Sequence, residues 1–167
     1  MSHHSLLEKI KRERLGKKHP LADEDLAFRY AYGFGVTFLA CSDNQLGEEE
    51  REVITDLLTS LDLPQYYYEQ ILRNAENPEE NMVRGLIEAF SEQRYKHLFI
   101  ADLYYMATAD GVINKDEQRI INSLCDILSV NRTQRNIIKE IVVTSSGQNK
   151  LKLYKAVDKL TKSSLQR

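Results

Sequence analysis

Four carboxylates stand out by their spacing. Asp43 and Glu50 are separated by the same interval as Asp110 and Glu117, and each pair frames a short segment. The first segment reads Ala40-Cys41-Ser42-Asp43-Asn44-Gln45-Leu46-Gly47-Glu48-Glu49-Glu50. The second reads Ala107-Thr108-Ala109-Asp110-Gly111-Val112-Ile113-Asn114-Lys115-Asp116-Glu117. Both fit Asp-[Asn/Gly]-x-[Leu/Ile]-x-x-x-Glu. Two kinds of chemistry suit such a pair. One is oxygen ligation of a hard divalent cation. The other is structural: Glu117 closing a capping box with Asn114, Glu50 at the positive end of a helix dipole, and Asp43 and Asp110 bonding backbone N–H groups in a turn. The sequence leaves both open.

The spacing is similar to the second half of an EF-hand loop, with the aspartate at loop position five and the glutamate at twelve. The first half does not fit. Positions one and three would be Leu39 and Cys41 in one copy, and Met106 and Thr108 in the other. None is a carboxylate, so a standard EF-hand site is excluded. An ion here would draw its other ligands from backbone carbonyls, water or another part of the fold.

Other residues invite a role. Tyr66, Tyr67 and Tyr68 fan around a helix axis, so at least one ring should face solvent and offer a partner surface. Lys11, Arg12 and Arg14 back a small apolar stripe of Leu6, Leu7 and Ile10, which suits an anionic membrane surface or an acidic partner. A solvated tail is the bland alternative. Asp102 lies in an apolar run and is expected at the solvent edge of its stripe, and His97 as a packing or surface residue. Catalysis finds no support: there is no Gly-rich phosphate loop, no Ser/His/Asp order and no His-rich metal motif. The expectation is a non-enzyme. Nucleic-acid binding is disfavoured, since the basic ends lack aromatic interleaving or a reading helix.

These residues need elements to hold them, and the apolar period is helical almost throughout. Stripes run through Phe28, Ala31, Tyr32, Gly35 and Leu39; Val53, Ile54, Leu57, Leu58 and Leu61; Val83, Leu86, Ile87 and Phe90; Leu98, Ala101, Tyr105 and Ala109; and Ile120, Ile121, Leu124 and Leu128. Asn77-Pro78-Glu79-Glu80 reads as a capped start with Pro at the first helical position, Asn114 and Asn131 as further caps, and Ser145-Ser146-Gly147 as a break. Helices are expected near 5–15, 24–42, 48–61, 65–75, 79–90, 92–109, 115–129, 132–143 and 149–163. In the last, Lys150, Lys152, Lys155, Lys159 and Lys162 should line the outer face and Leu153, Tyr154, Val157 and Leu160 the inner one.

A repeat underlies this order. A shift of 67 places Ala40 on Ala107, Asp43 on Asp110, Glu50 on Glu117, Leu57 on Leu124 and Leu61 on Leu128. Halves of this size would bury little surface alone, so one fused bundle is expected. The reading is an all-α single bundle of about eight or nine helices, built from a duplicated four-helix unit with pseudo-twofold symmetry. A basic segment would cover 1–23, the bundle 24–163 with halves 24–90 and 92–157, and a tail 164–167.

Charge follows the same plan. The 167 residues carry net charge -2 from 23 basic and 25 acidic side chains. Residues 1–20 hold +4, residues 147–167 hold +5, and the stretch between holds -11. The two thiols, Cys41 and Cys125, form no metal or disulfide pattern, which points to a reducing compartment. No apolar run is long enough to span a bilayer.

The motif Ala107-Thr108-Ala109-Asp110-Gly111-Val112-Ile113, with Glu117, Ile120, Ile121 and Leu124, resembles the TerB family of tellurite-resistance proteins. The first copy, Ala40 to Leu57, fits with Asn44 in place of the glycine, and the resemblance covers roughly 24–143. It implies an all-helical duplicated bundle with a non-enzymatic interaction and stress-response role. It also implies a divalent metal ion of unknown identity held by Asp43, Glu50, Asp110 and Glu117. Family relatives occur in resistance systems, membrane-associated complexes and DnaJ-type co-chaperones. Here His19-Pro20 is followed by Leu21, so the J-domain tripeptide is missing. The alternative is an adaptor subunit of a membrane-associated or secretion-type complex that binds no metal. Protein partners, a cytoplasmic location and peripheral contact with the inner face of the membrane through the basic N-terminus complete the expectation.

Overall fold

The computed structural model describes residues 2–7, 10, 18–42, 46–90, 93–108, 112–145 and 150–165. It is all-helical, with no strand among these residues. After a short helical stretch at 3–7, eight helices follow: α1 (Leu26–Ala40), α2 (Glu48–Ser60), α3 (Tyr68–Glu76), α4 (Glu80–Ala89), α5 (Gln93–Ala107), α6 (Lys115–Ile127), α7 (Arg132–Thr144) and α8 (Lys150–Leu165). A 3₁₀ turn, Gln65–Tyr67, precedes α3.

Two helices are central. α1 packs against α2, α3 and α4, α5 packs against α6, α7 and α8, and α1 and α5 pack against each other. Residues 95–104 of α5 are all buried, as befits a helix apolar on nearly every side. One apolar cluster runs through both groups, from Leu21 to Val157.

The elements recur at the interval of the sequence repeat. α1 and α5 begin and end 67 residues apart, and so do α2 and α6. The helix ends recur as well. Among the described residues, Asp62 and Ser129 are the positive-φ non-glycine residues, at 55° and 58°. Each follows its helix and lets the chain turn back: Leu63 N–H reaches Leu58 O at 3.2 Å, and Val130 N–H reaches Cys125 O at 2.8 Å. A basic side chain from the central helix then meets the last carbonyls. Arg29 Nη1 donates to Leu61 O at 3.2 Å and Asp62 O at 2.8 Å. Lys96 Nζ donates to Leu128 O at 2.9 Å. Arg29 and Lys96 are themselves one repeat apart.

Local signals fared unevenly. Asn114 and Asn131 both form complete capping boxes, with Glu117 and Gln134. Asn77 does not cap α4. It closes α3, with its N–H on Arg73 O at 3.1 Å, while Glu79 takes the N-cap position without a side-chain bond. Pro78 bars Asn77 from helical backbone angles, so the helix before it ends there. On α8 the expected faces appear: Leu153, Tyr154 and Val157 are buried, and Lys152, Lys155, Lys159 and Lys162 are exposed.

Candidate functional site

At both loop-helix junctions the described residues are the end of one helix and the start of the next, and the two helix starts differ. At the first, α1 ends with Cys41 N–H on Thr37 O at 3.0 Å, and α2 opens with Glu48, Glu49 and Glu50. Its N-cap is Gly47, which has no side chain to offer. Glu50 sits at the third helical position, and its Oε1 folds back to 3.9 Å from where a Cβ on Gly47 would lie. At the second junction, Thr108 Oγ1 returns a bond to Tyr104 O at 3.0 Å. Asn114 Oδ1 accepts from Glu117 N–H at 2.8 Å, and Glu117 Oε1 accepts from Asn114 N–H at 3.4 Å.

The structural role of Glu117 is thus present. Glu117 is only 5% exposed, and its carboxylate takes the long arm of the capping box. Glu50 occupies the matching place, opposite an N-cap residue that has no side chain. Asp43 and Asp110, with Asn44 and Gly111, lie outside the described residues, as do Lys11, Arg12 and Arg14. Among the described residues, no three His, Cys, Asp or Glu side chains form a metal-holding group. The donor chemistry of Glu50 and Glu117, one carboxylate at the start of each helix, is of the oxygen type that hard cations take.

Tyr66 and Tyr67 sit in the 3₁₀ turn with ring centroids 4.4 Å apart, and Tyr68 opens α3. Tyr66 is 74% exposed, Tyr67 meets Tyr30 edge-on at 5.7 Å, and Tyr68 Oη lies 2.9 Å from Thr59 Oγ1.

Asp102 overturns its sequence reading. It is 3% exposed, in the middle of α5, rather than at a solvent edge. Tyr32 of α1 donates its hydroxyl to Oδ2, Tyr154 of α8 donates to Oδ1 at 2.9 Å, and His19 Nε2 lies 2.8 Å from Oδ2. His19 Nδ1 accepts from Leu21 N–H at 3.0 Å, so the ring proton belongs on Nε2 and points at the carboxylate. Three donors replace water around the charge, which is the condition for burying it. Burial, followed by the nearby Asp102 charge, holds both tyrosine hydroxyls well above their ordinary pKa. The cluster joins the 18–24 segment, α1, α5 and α8, which places it in the bundle's cohesion.

His97, also fully buried, sets Nδ1 3.0 Å from Thr161 Oγ1. Desolvation, then the Lys96 charge, lowers its pKa below the usual histidine value. It is a packing residue, as expected. The sequence reading had no place for His19, Tyr32, Arg29 or Lys96 in this framework. Their partners lie 32 to 83 residues away, beyond any local pattern.

Comparison with curated proteins and with solved structures finds no match. A family model does match: the one described as tellurite resistance protein TerB aligns with residues 36–140, from within α1 to within α7. That span takes in both acidic junctions and Asp102, and it leaves out His19, Tyr32 and α8. The chain belongs to the TerB family.

Proposed function

We propose that this chain is a non-enzymatic interaction module of TerB type in a stress-response system, working by what it holds. One observation carries the reading: the buried charged side chains among the described residues are held by other side chains or by main-chain groups, while His97 Nε2 and Ser42 Oγ are the buried polar atoms left without a bond. Asp102, His19, Tyr32 and Tyr154 form one such group, and Lys96 and His97 bond Leu128 O and Thr161. Most of the charge lies on the surface, acidic on the body and lysine-rich on α8, with Lys96, Asp102 and Glu117 the buried exceptions among the described residues. Affinity purification of the tagged chain from its native cell, followed by mass spectrometry, tests this. Recovery of the chain alone would count against it.

The acidic junctions are the proposed place for a divalent cation, with Asp43 and Glu50 at one and Asp110 and Glu117 at the other. The metal would supply a fixed positive charge between the two helix ends. This chain itself provides the discriminating variant. Glutamine serves as the third-position partner in the α7 capping box, so Glu117→Gln keeps the cap and removes the charge. Calcium, magnesium, manganese and zinc are titrated separately while the melting temperature is followed. One of them is expected to raise it in the wild type, by about 2.7 kcal/mol of stability at a hundred times Kd. Glu117→Gln should show much less of that rise. No rise with any metal removes the metal and leaves the adaptor form of the module. An equal rise in the variant removes Glu117 as a ligand.

A further inference from the structure

Two apolar features of this chain are left open by its own fold. The first is a groove of about 220 Å³ between α1, α3 and α4. Ala31, Phe34, Met82 and Leu86 line it, together with the amides of Asn74 and Asn81. Asn74 is held in place, its Nδ2 donating to Tyr30 Oη at 2.9 Å. The second feature is the N-terminal stripe. Leu6, Leu7 and Ile10 are 47%, 65% and 44% exposed, at helical spacing that sets them on one face.

Gly85 singles out the groove. It lines the groove from the middle of α4, on an exposed turn. A glycine inside a helix costs stability, and a close neighbour is the ordinary reason for it. Gly33 and Gly35 have such neighbours: a Cβ would lie 2.6 Å from Leu58 Cδ2 in one case and 2.7 Å from the Phe99 ring in the other. At Gly85 nothing lies within 4 Å of such a Cβ. Its own chain gives no reason for the missing side chain. A second backbone lying in the groove does, because glycine lets it approach closely.

We propose that the groove receives the N-terminal stripe of a second copy of this chain, so that two copies exchange stripes in a symmetric dimer. Charge supports this occupant. Residues 1–20 hold +4, whereas the stretch 65–90, which contains α3 and α4, holds five glutamates against two arginines. All five glutamates are exposed. Stripe and groove therefore match twice, apolar against apolar and basic against acidic. The stripe is uncovered on its own chain, so the contact is made between molecules. In a two-fold pair each copy gives a stripe and receives one, which closes the assembly at two. The contact uses neither the acidic junctions nor a metal.

Sedimentation equilibrium of the full chain between about 1 μM and 1 mM tests this. The mass is expected to rise with concentration from 19.4 kDa towards twice that value, and the dimer should weaken as salt rises. Leu7→Ser with Ile10→Ser removes the stripe. Gly85→Arg fills the groove with a basic side chain that repels the incoming segment. Each variant should raise the dissociation constant by about tenfold or more. All three residues are exposed, so the melting temperature of the dilute chain should not fall, which serves as the control for folding. Each variant also keeps the half that the other lacks. Mixing them should restore part of the dimer that neither forms alone. A wild type that stays monomeric throughout the range would overturn the proposal, whether its stripe folds onto its own groove or binds another molecule. So would a dimer equally strong in both variants, which would use another surface, or a mixture no more dimeric than its parts.

Discussion

Asp102 brings a carboxylate to the centre of the bundle, and donors from three other parts of the chain meet it. Replacing it with alanine leaves Tyr32, Tyr154 and His19 each facing a dry site. An unsatisfied buried donor costs about 1–3 kcal/mol, so Asp102→Ala should lose roughly 3–5 kcal/mol after local adjustment. Tyr154→Phe removes one donor to a charged acceptor and should lose about 1.5–3 kcal/mol. Urea denaturation measures both, and an Asp102→Ala chain as stable as the wild type would contradict the role assigned here. None of this could be read from the sequence around Asp102, because the partners are 52, 70 and 83 residues away. Asn114 with Glu117 and Asn131 with Gln134 were legible because a cap closes within four residues. Asp43 and Asp110 were equally visible as a pattern, but a pattern of carboxylates does not distinguish a ligand from a turn.

At the scale of elements, the repeat was legible as apolar spacing, and the helices α1 and α5, α2 and α6 keep its interval. The contacts where the central helices meet were not legible. Tyr32 and Phe99 are one repeat apart, and so are Gly35 and Asp102. Tyr32 reaches Asp102 on the opposite helix, and Phe99 reaches Gly35 in return. The first contact is polar and the second is tight packing. A Cβ on Gly35 would lie 2.7 Å from the Phe99 ring and 2.8 Å from Leu86 Cδ1. The ring is rigid and fully buried, so Gly35→Ala should destabilise by about 1–3 kcal/mol. Gly85, on the exposed face of α4, has nothing within 4 Å of such a Cβ. Gly85→Ala should instead stabilise by about 0.5–1 kcal/mol, through helix propensity and a less flexible unfolded chain. Paired thermal melts check the contrast. Two shifts of the same sign would remove the claim that close approach keeps glycine at position 35.

For the whole molecule, the buried acids and bases set the pH range in which the fold holds. Burial raises Cys125 from 9.0 to about 11, and it raises Tyr104, Tyr32 and Tyr154 above 10.0. A group whose folded pKa is raised contributes fully below its unfolded value and loses that contribution as pH climbs through the folded one. Stability should therefore decline from about pH 9 upward, first through the thiol and then through the tyrosines. Lys96, lowered by burial, acts against this at the alkaline end, because the unfolded chain holds that proton longer. One amine does not offset a thiol and three phenols. On the acid side, His97 is lowered from 6.5, so its contribution is present above that value and fades below it. The expected curve is a plateau between those limits, and the interior fixes it more than the net charge of -2 does. Cys125→Ala isolates one component: whatever its overall stability, its slope from pH 9 to about 11 should be shallower than the wild type's. Denaturant midpoints taken across that interval give the slope for each chain, and two parallel curves would show that the thiol does not govern the decline.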